Sequence, residues 1–154
     1  MEDRTRPAHE IDRGQLPMNW LRSFVGIIAG MGVISIVVQA LEFTLVNAMA
    51  GTPITDMAGY FAVRNRPGVL MATFVSSGMA GLLGGYVTAR VAGARERLHG
   101  AIAAAIQTAA LTWGFTRGDF ASYTPVWARV VFALVTGTAM IVGATIRGRA
   151  AVSK

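Results

Sequence analysis

The chain alternates long apolar runs with short polar connections. Residues 24–41 hold eighteen positions without a charge. A helix rising about 1.5 Å per residue needs roughly twenty such positions to cross a bilayer core. The helical pattern continues past Glu42 to about residue 50, long for a single crossing, so tilt or an exposed outer end is expected. Ala48-Met49-Ala50 resembles a signal-peptidase site, but the apolar run exceeds a signal core and Glu42 precedes the site. Three more runs follow. The pattern predicts an all-α integral membrane bundle of four transmembrane helices, at about 23–49, 69–90, 98–115 and 125–146. Between the first two, Thr52-Pro53 reads as a helix start. Ile54, Met57, Ala58 and Phe61 then form one apolar stripe, so a short outer interfacial helix is expected at about 53–63, ended by Asn65-Arg66-Pro67-Gly68. Residues 1–19 and 148–154 read as cytoplasmic tails, the first mixed in charge and unable to bury a core.

Small residues recur at four-residue spacing inside the runs. Ser77, Gly81 and Gly85 form one row, with Ala80 and Gly84 beside it; Gly26 and Gly30 form another. In lipid, apolar burial does not drive helices together, and such rows let backbones approach closely. The helix at 69–90 is therefore expected at the centre of the bundle. Ala101, Ala105 and Ala109 form a third row, expected to face the glycine row across a short connection.

Composition sharpens the class. Of 154 residues, 53% are apolar and 14% charged, against roughly 25% charged in soluble domains. The net charge of +6 does not point to nucleic acid, because the basic residues flank the apolar runs. Arg4, Arg6, Arg13, Arg22, Arg90, Arg95, Arg97, Arg147, Arg149 and Lys154 fall on one side, ten in all, and Arg64, Arg66 and Arg117 on the other. That bias predicts both termini in the cytoplasm. With no cysteine, disulfides and thiolate chemistry are excluded. His9 and His99 both lie outside the runs. No catalytic residue, metal site or cofactor is expected.

Glu42 and Arg129 are the charges placed within helical membrane segments, where each needs a partner or access to the interface. Their depths match, so an ion pair near the outer interface is expected, with Arg64 and Arg66 as competing partners for Glu42. Gln39 lies one turn below Glu42, and Gln107 lies midway along the third run. Together these four residues are the candidate intramembrane polar site.

The segment Gly84-Gly85-Tyr86-Val87-Thr88-Ala89-Arg90-Val91-Ala92-Gly93, followed by Leu98-His99-Gly100, resembles the second-to-third span connection of small uncharacterised four-helix proteins of the bacterial inner membrane. The resemblance implies that location and four spans, and it carries no activity. Two functional expectations follow from the residues. The first is a non-enzymatic membrane protein acting through helix packing, as a homo-oligomer or as an accessory subunit of a membrane complex. The second is a small oligomeric transporter or channel subunit with a polar site near Glu42.

Overall fold

The computed structural model describes residues 16–93, 95–118 and 121–152, with side chains from Trp20 to Ala151. Residues 1–15 of the tail expected at 1–19 lie outside the described residues. Five α-helices follow in order: α1 (Leu16–Ala50), α2 (Met57–Arg64), α3 (Pro67–Ala92), α4 (Glu96–Arg117) and α5 (Val126–Val152), with a 3-10 turn at Ala121–Tyr123 before the last. No strand occurs among the described residues.

Short connections make the four long helices run alternately up and down. One end of the bundle gathers the end of α1, all of α2 and the α4–α5 connection. The opposite end gathers Arg22, Arg90, Arg95, Arg97, Arg147 and Arg149; there Arg22 reaches Gly93, the left-handed residue that closes α3. Three helices are long and apolar enough to cross a membrane: Trp20–Ala50 of α1, Pro67–Ala92 (α3), and Val126–Ala151 of α5. The fourth, α4, has 22 residues, about 33 Å of helix. It is diluted by alanine and by Gln107, Thr108 and Thr112. Large apolar side chains such as Ile36, Leu83, Val126 and Leu134 stand exposed on the outside of the bundle, as suits contact with lipid.

Several boundaries differ from the sequence pattern. The first helix begins at Leu16, so part of the expected tail is helical and carries Trp20 and Arg22 on its first turns. The last helix continues through Arg147 and Arg149 to Val152. The short helix starts at Met57, not at Pro53, because Asp56 is the residue that caps it. Asp56 Oδ1 accepts the Gly59 amide at 2.6 Å, satisfying an otherwise orphan donor of the first turn. Pro67 opens α3 at its first turn, where its missing N–H is not needed and its fixed φ suits the helix.

The helix α3 packs between α1 and α5, and glycines set both contacts. A methyl group on Gly26 would meet Thr88 O at 2.9 Å, and one on Gly30 would meet Gly84 O at 2.5 Å. On the other face, a Cβ on Gly81 would lie 2.8 Å from Thr136 O, and one on Gly85 would strike the carbonyl of Met140. From α5, Gly143 presses in the same way on the carbonyl of Leu82. Real side chains do not fit at these distances, so the backbones touch. Ser77 is buried on the same helix.

The alanine row of α4 lies elsewhere than the spacing suggests. Ala101, Ala105 and Ala109 are exposed, while Gly100, Ala103, Ala104 and Gln107 are buried. The main partner of α4 is α5, not α3: Gly100 faces Ala144, and Thr108 faces Gly137. Alanines at 103, 104 and 105 make neighbouring rows almost equally small, so period alone does not select the buried one.

Candidate functional site

The expected pair of Glu42 with Arg129 does not form. Glu42 is paired with Arg64, the last residue of α2, at 2.6 Å from Arg64 Nε to Glu42 Oε1. A second, longer contact joins Arg64 Nη2 to Glu42 Oε2 at 3.5 Å. The side chains are only 6% and 14% exposed, in that order. Burying this pair requires satisfied hydrogen bonds as well as Coulomb attraction, and both are present. Arg64 Nη1 donates to Thr124 Oγ1 at 3.3 Å, and the Tyr60 hydroxyl donates to Glu42 Oε1 at 3.2 Å. The guanidinium lies 5.4 Å from the Phe61 ring centre and 4.8 Å from that of Phe132, within cation–π range. One side chain thus ties α2 to α1, to the α4–α5 connection and to the aromatic core.

Tyr60 registers this environment. Burial raises its hydroxyl pKa first, and the Glu42 charge and hydrogen bond raise it further. The opposing Arg64 charge lowers it, and the result is a pKa of about 12.

Arg129 has a different task. It donates to three backbone carbonyls around the α4–α5 connection: Thr124 O at 2.7 Å, Phe115 O at 2.9 Å, and Ala121 O. Two of these belong to the end of α4 and the 3-10 turn, where carbonyls lack helical partners. Its positive charge also suits the negative end of the α4 dipole. Depth matching alone did not separate Arg64 from Arg129. The short helix decides, because it brings Arg64 back over α1 while the loop claims Arg129. Two further contacts pin α2: Asn65 Nδ2 donates to Tyr123 O at 2.7 Å, and Arg66 Nη1 to Met49 O at 3.0 Å.

Beneath the ion pair lies a cavity of about 190 Å³ between the four long helices. Glu42 and Arg64 form its roof, and Ile34, Val38, Leu111, Phe115 and Phe132 its apolar walls. Three buried polar side chains reach it from three helices: Ser77 of α3 (2% exposed), Thr136 of α5 (3%) and Gln107 of α4 (9%). Among the described residues, none of the three makes a side-chain hydrogen bond to another protein group. Their positions in turn explain why they converge. Ser77 and Thr136 flank the close Gly81 crossing, and Gln107 follows Ala103 and Ala104 on the buried face of α4. Gln39 and Ser35, both exposed on α1, edge the opening. Gln39 and Gln107 therefore line the same cavity as Glu42; Arg129 does not. Ser77, expected as a packing residue, and Thr136 are not marked by the sequence as part of the polar site, because isolated hydroxyls in an apolar helix more often bond their own backbone.

No metal-binding group of three or more His, Asp or Glu occurs among the described residues. At the arginine end, His99 Nε2 meets Ser23 Oγ at 2.8 Å, joining the starts of α4 and α1. No protein-family model, curated protein or solved structure matches the chain.

Proposed function

We propose that this chain is a non-enzymatic membrane protein of four crossings that binds a small solute in the cavity beneath α2, as a small transporter or channel-type subunit. The observation that carries this reading is the convergence of Ser77, Thr136 and Gln107 on one cavity without protein partners. Residues from three helices thus present an amide and two hydroxyls to one space, where a bound solute can meet them. The gathering of arginines opposite α2 supports a cytoplasmic location for that end and for both termini. The resemblance noted above points to a bacterial inner membrane.

Association through helix packing is the second reading, and one observation favours it. The rows at Gly26, Gly30, Gly81 and Gly85 are used up inside the chain. The exposed alanines of α4 instead border a shallow groove of about 700 Å³ shared with Gly137 and Thr138 of α5. A homo-oligomer or an accessory-subunit role would use this face.

A melting screen of the purified protein against small solutes tests the first reading. At least one class of solute should raise the melting temperature of the wild type and leave Gln107→Leu unmoved. Without solute, Gln107→Leu should stay within about 1 kcal/mol of wild type, because the amide faces the cavity and holds no other element in place. A destabilised Gln107→Leu, together with no stabilising solute, would assign the glutamine a structural role and end this reading.

A further inference from the structure

We infer that the ligand of the cavity is an uncharged amphiphile: a short apolar body carrying a hydrogen-bonding oxygen, entering sideways from the membrane between α1 and α4. This rests on the reading of the cavity as a ligand site, and it adds the ligand's charge, size and route.

The charge follows from the roof. Both oxygens of Glu42 already accept from Arg64, and Oε1 also accepts from Tyr60. Arg64 donates its remaining described hydrogen bond to Thr124 and lies against the Phe61 and Phe132 rings. The two formal charges cancel, so an ionic ligand would have to be desolvated against a neutral pair or break it. Taking an ion out of water without a new partner is far more expensive than taking out a hydroxyl or carbonyl. What the cavity does offer is an amide and two hydroxyls, which can donate or accept. These suit an alcohol, ketone or amide head.

Size follows from the volume. A dry protein cavity of roughly 150 Å³ admits a benzene-sized molecule. The 190 Å³ found here admits slightly more, about eight non-hydrogen atoms. The aliphatic and phenyl walls suit an apolar body of that size.

The route follows from packing. The most exposed lining residues, Ser35 and Gln39, both lie on α1. Leu111 and Phe115 of α4 face them across a seam where the two helices touch only lightly. The roof is held by the Arg64 network. The seam is therefore the open side, and it faces the membrane.

The absence of cysteine makes the test direct. Ser77→Cys and, on the neighbouring helix, Thr136→Cys each place one thiol in the cavity of the full chain in lipid nanodiscs. Each is treated with methanethiosulfonates of matched size ending in a hydroxyl, a sulfonate or a trimethylammonium group. Rates are normalised to Thr52→Cys, an exposed site beyond the end of α1. Thr73→Cys, fully buried in α3, serves as the control for general opening of the bundle. The hydroxyl reagent should modify positions 77 and 136 at least tenfold faster than either ion, and should leave position 73 unmodified. A charged reagent reacting equally fast would overturn the uncharged class while leaving a ligand site standing. No reaction at either wall would overturn both, because the cavity would be unreachable. Equal modification of position 73 would overturn the route. Melting curves show which variants are folded, and either wall position alone suffices.

Discussion

Arg64 is the residue on which most of the α2 end depends, and its neighbours make distinct predictions. In a double-mutant cycle, Glu42→Gln and Arg64→Gln should show a coupling on the order of 2 kcal/mol, since they touch and share a network. Glu42→Gln and Arg129→Gln should be nearly additive. Thermal or denaturant melts of the four variants in each cycle decide this. Arg64→Lys should fail to restore wild-type stability, because an ammonium cannot match the two-point contact to Glu42 or stack between Phe61 and Phe132. Tyr60 adds a pH dependence. Its folded pKa, about 12, lies above the ordinary value near 10. Between those values the unfolded chain gives up the proton while the folded chain keeps it, so stability falls as pH rises. The contribution is complete below about pH 10 and lost by about pH 12. Tyr60→Phe should flatten the alkaline limb of the melting-temperature profile, at the cost of about 1 kcal/mol at neutral pH for the lost hydrogen bond. An unchanged alkaline limb would remove Tyr60 as its source. At this scale the sequence was half legible. A carboxylate in an apolar run announces itself by its cost, whereas its partner depends on where an eight-residue helix folds back.

At the scale of elements, two glycines of α1 make a controlled comparison. Gly30 lies against Gly84 O and the buried Thr88 hydroxyl, whereas a Cβ at Gly32 meets nothing within 4 Å. Gly30→Ala should destabilise by several kcal/mol or separate α1 from α3. Gly32→Ala should stabilise by about 0.5–1 kcal/mol, through backbone entropy alone. Melting of the two variants in one detergent settles the contrast, and similar effects would mean that close packing does not set the α1–α3 contact. The glycine rows of α1 and α3 were readable in advance because glycine is costly in a helix and four-residue spacing marks a face. The alanine row of α4 was not, because alanine is cheap in any helix and marks no face by itself.

For the whole molecule, the bundle has one end rich in arginine and one end closed by α2. On the topology proposed here, single cysteines at Thr52 and Arg95 should label from opposite sides of the membrane. An impermeant maleimide applied to intact spheroplasts should reach Thr52→Cys and leave Arg95→Cys until the cells are broken. The reverse pattern would invert the protein in the membrane. Helical class and the order of long segments were legible in the apolar runs, since length against bilayer thickness is a coarse property that survives errors of several residues. The cavity was not legible, because it is made by four helices whose contributing residues lie as far apart in sequence as Gln39 and Thr136.

The modest apolarity of α4 bears on how the chain is made. A segment holding Gln107 and several threonines partitions into lipid less readily than α1, α3 or α5. Emerging from the ribosome, it has no adequate reason to leave an aqueous insertion channel alone. Its contacts with α5, through Gly100 on Ala144 and Thr108 on Gly137, give it that reason only after α5 has been synthesised. On the four-crossing reading, α4 and α5 enter the bilayer as a hairpin, and α4 waits for its neighbour. A chain truncated after residue 118 should leave α4 accessible to protease in a cell-free membrane-insertion reaction, and extension through α5 should protect it.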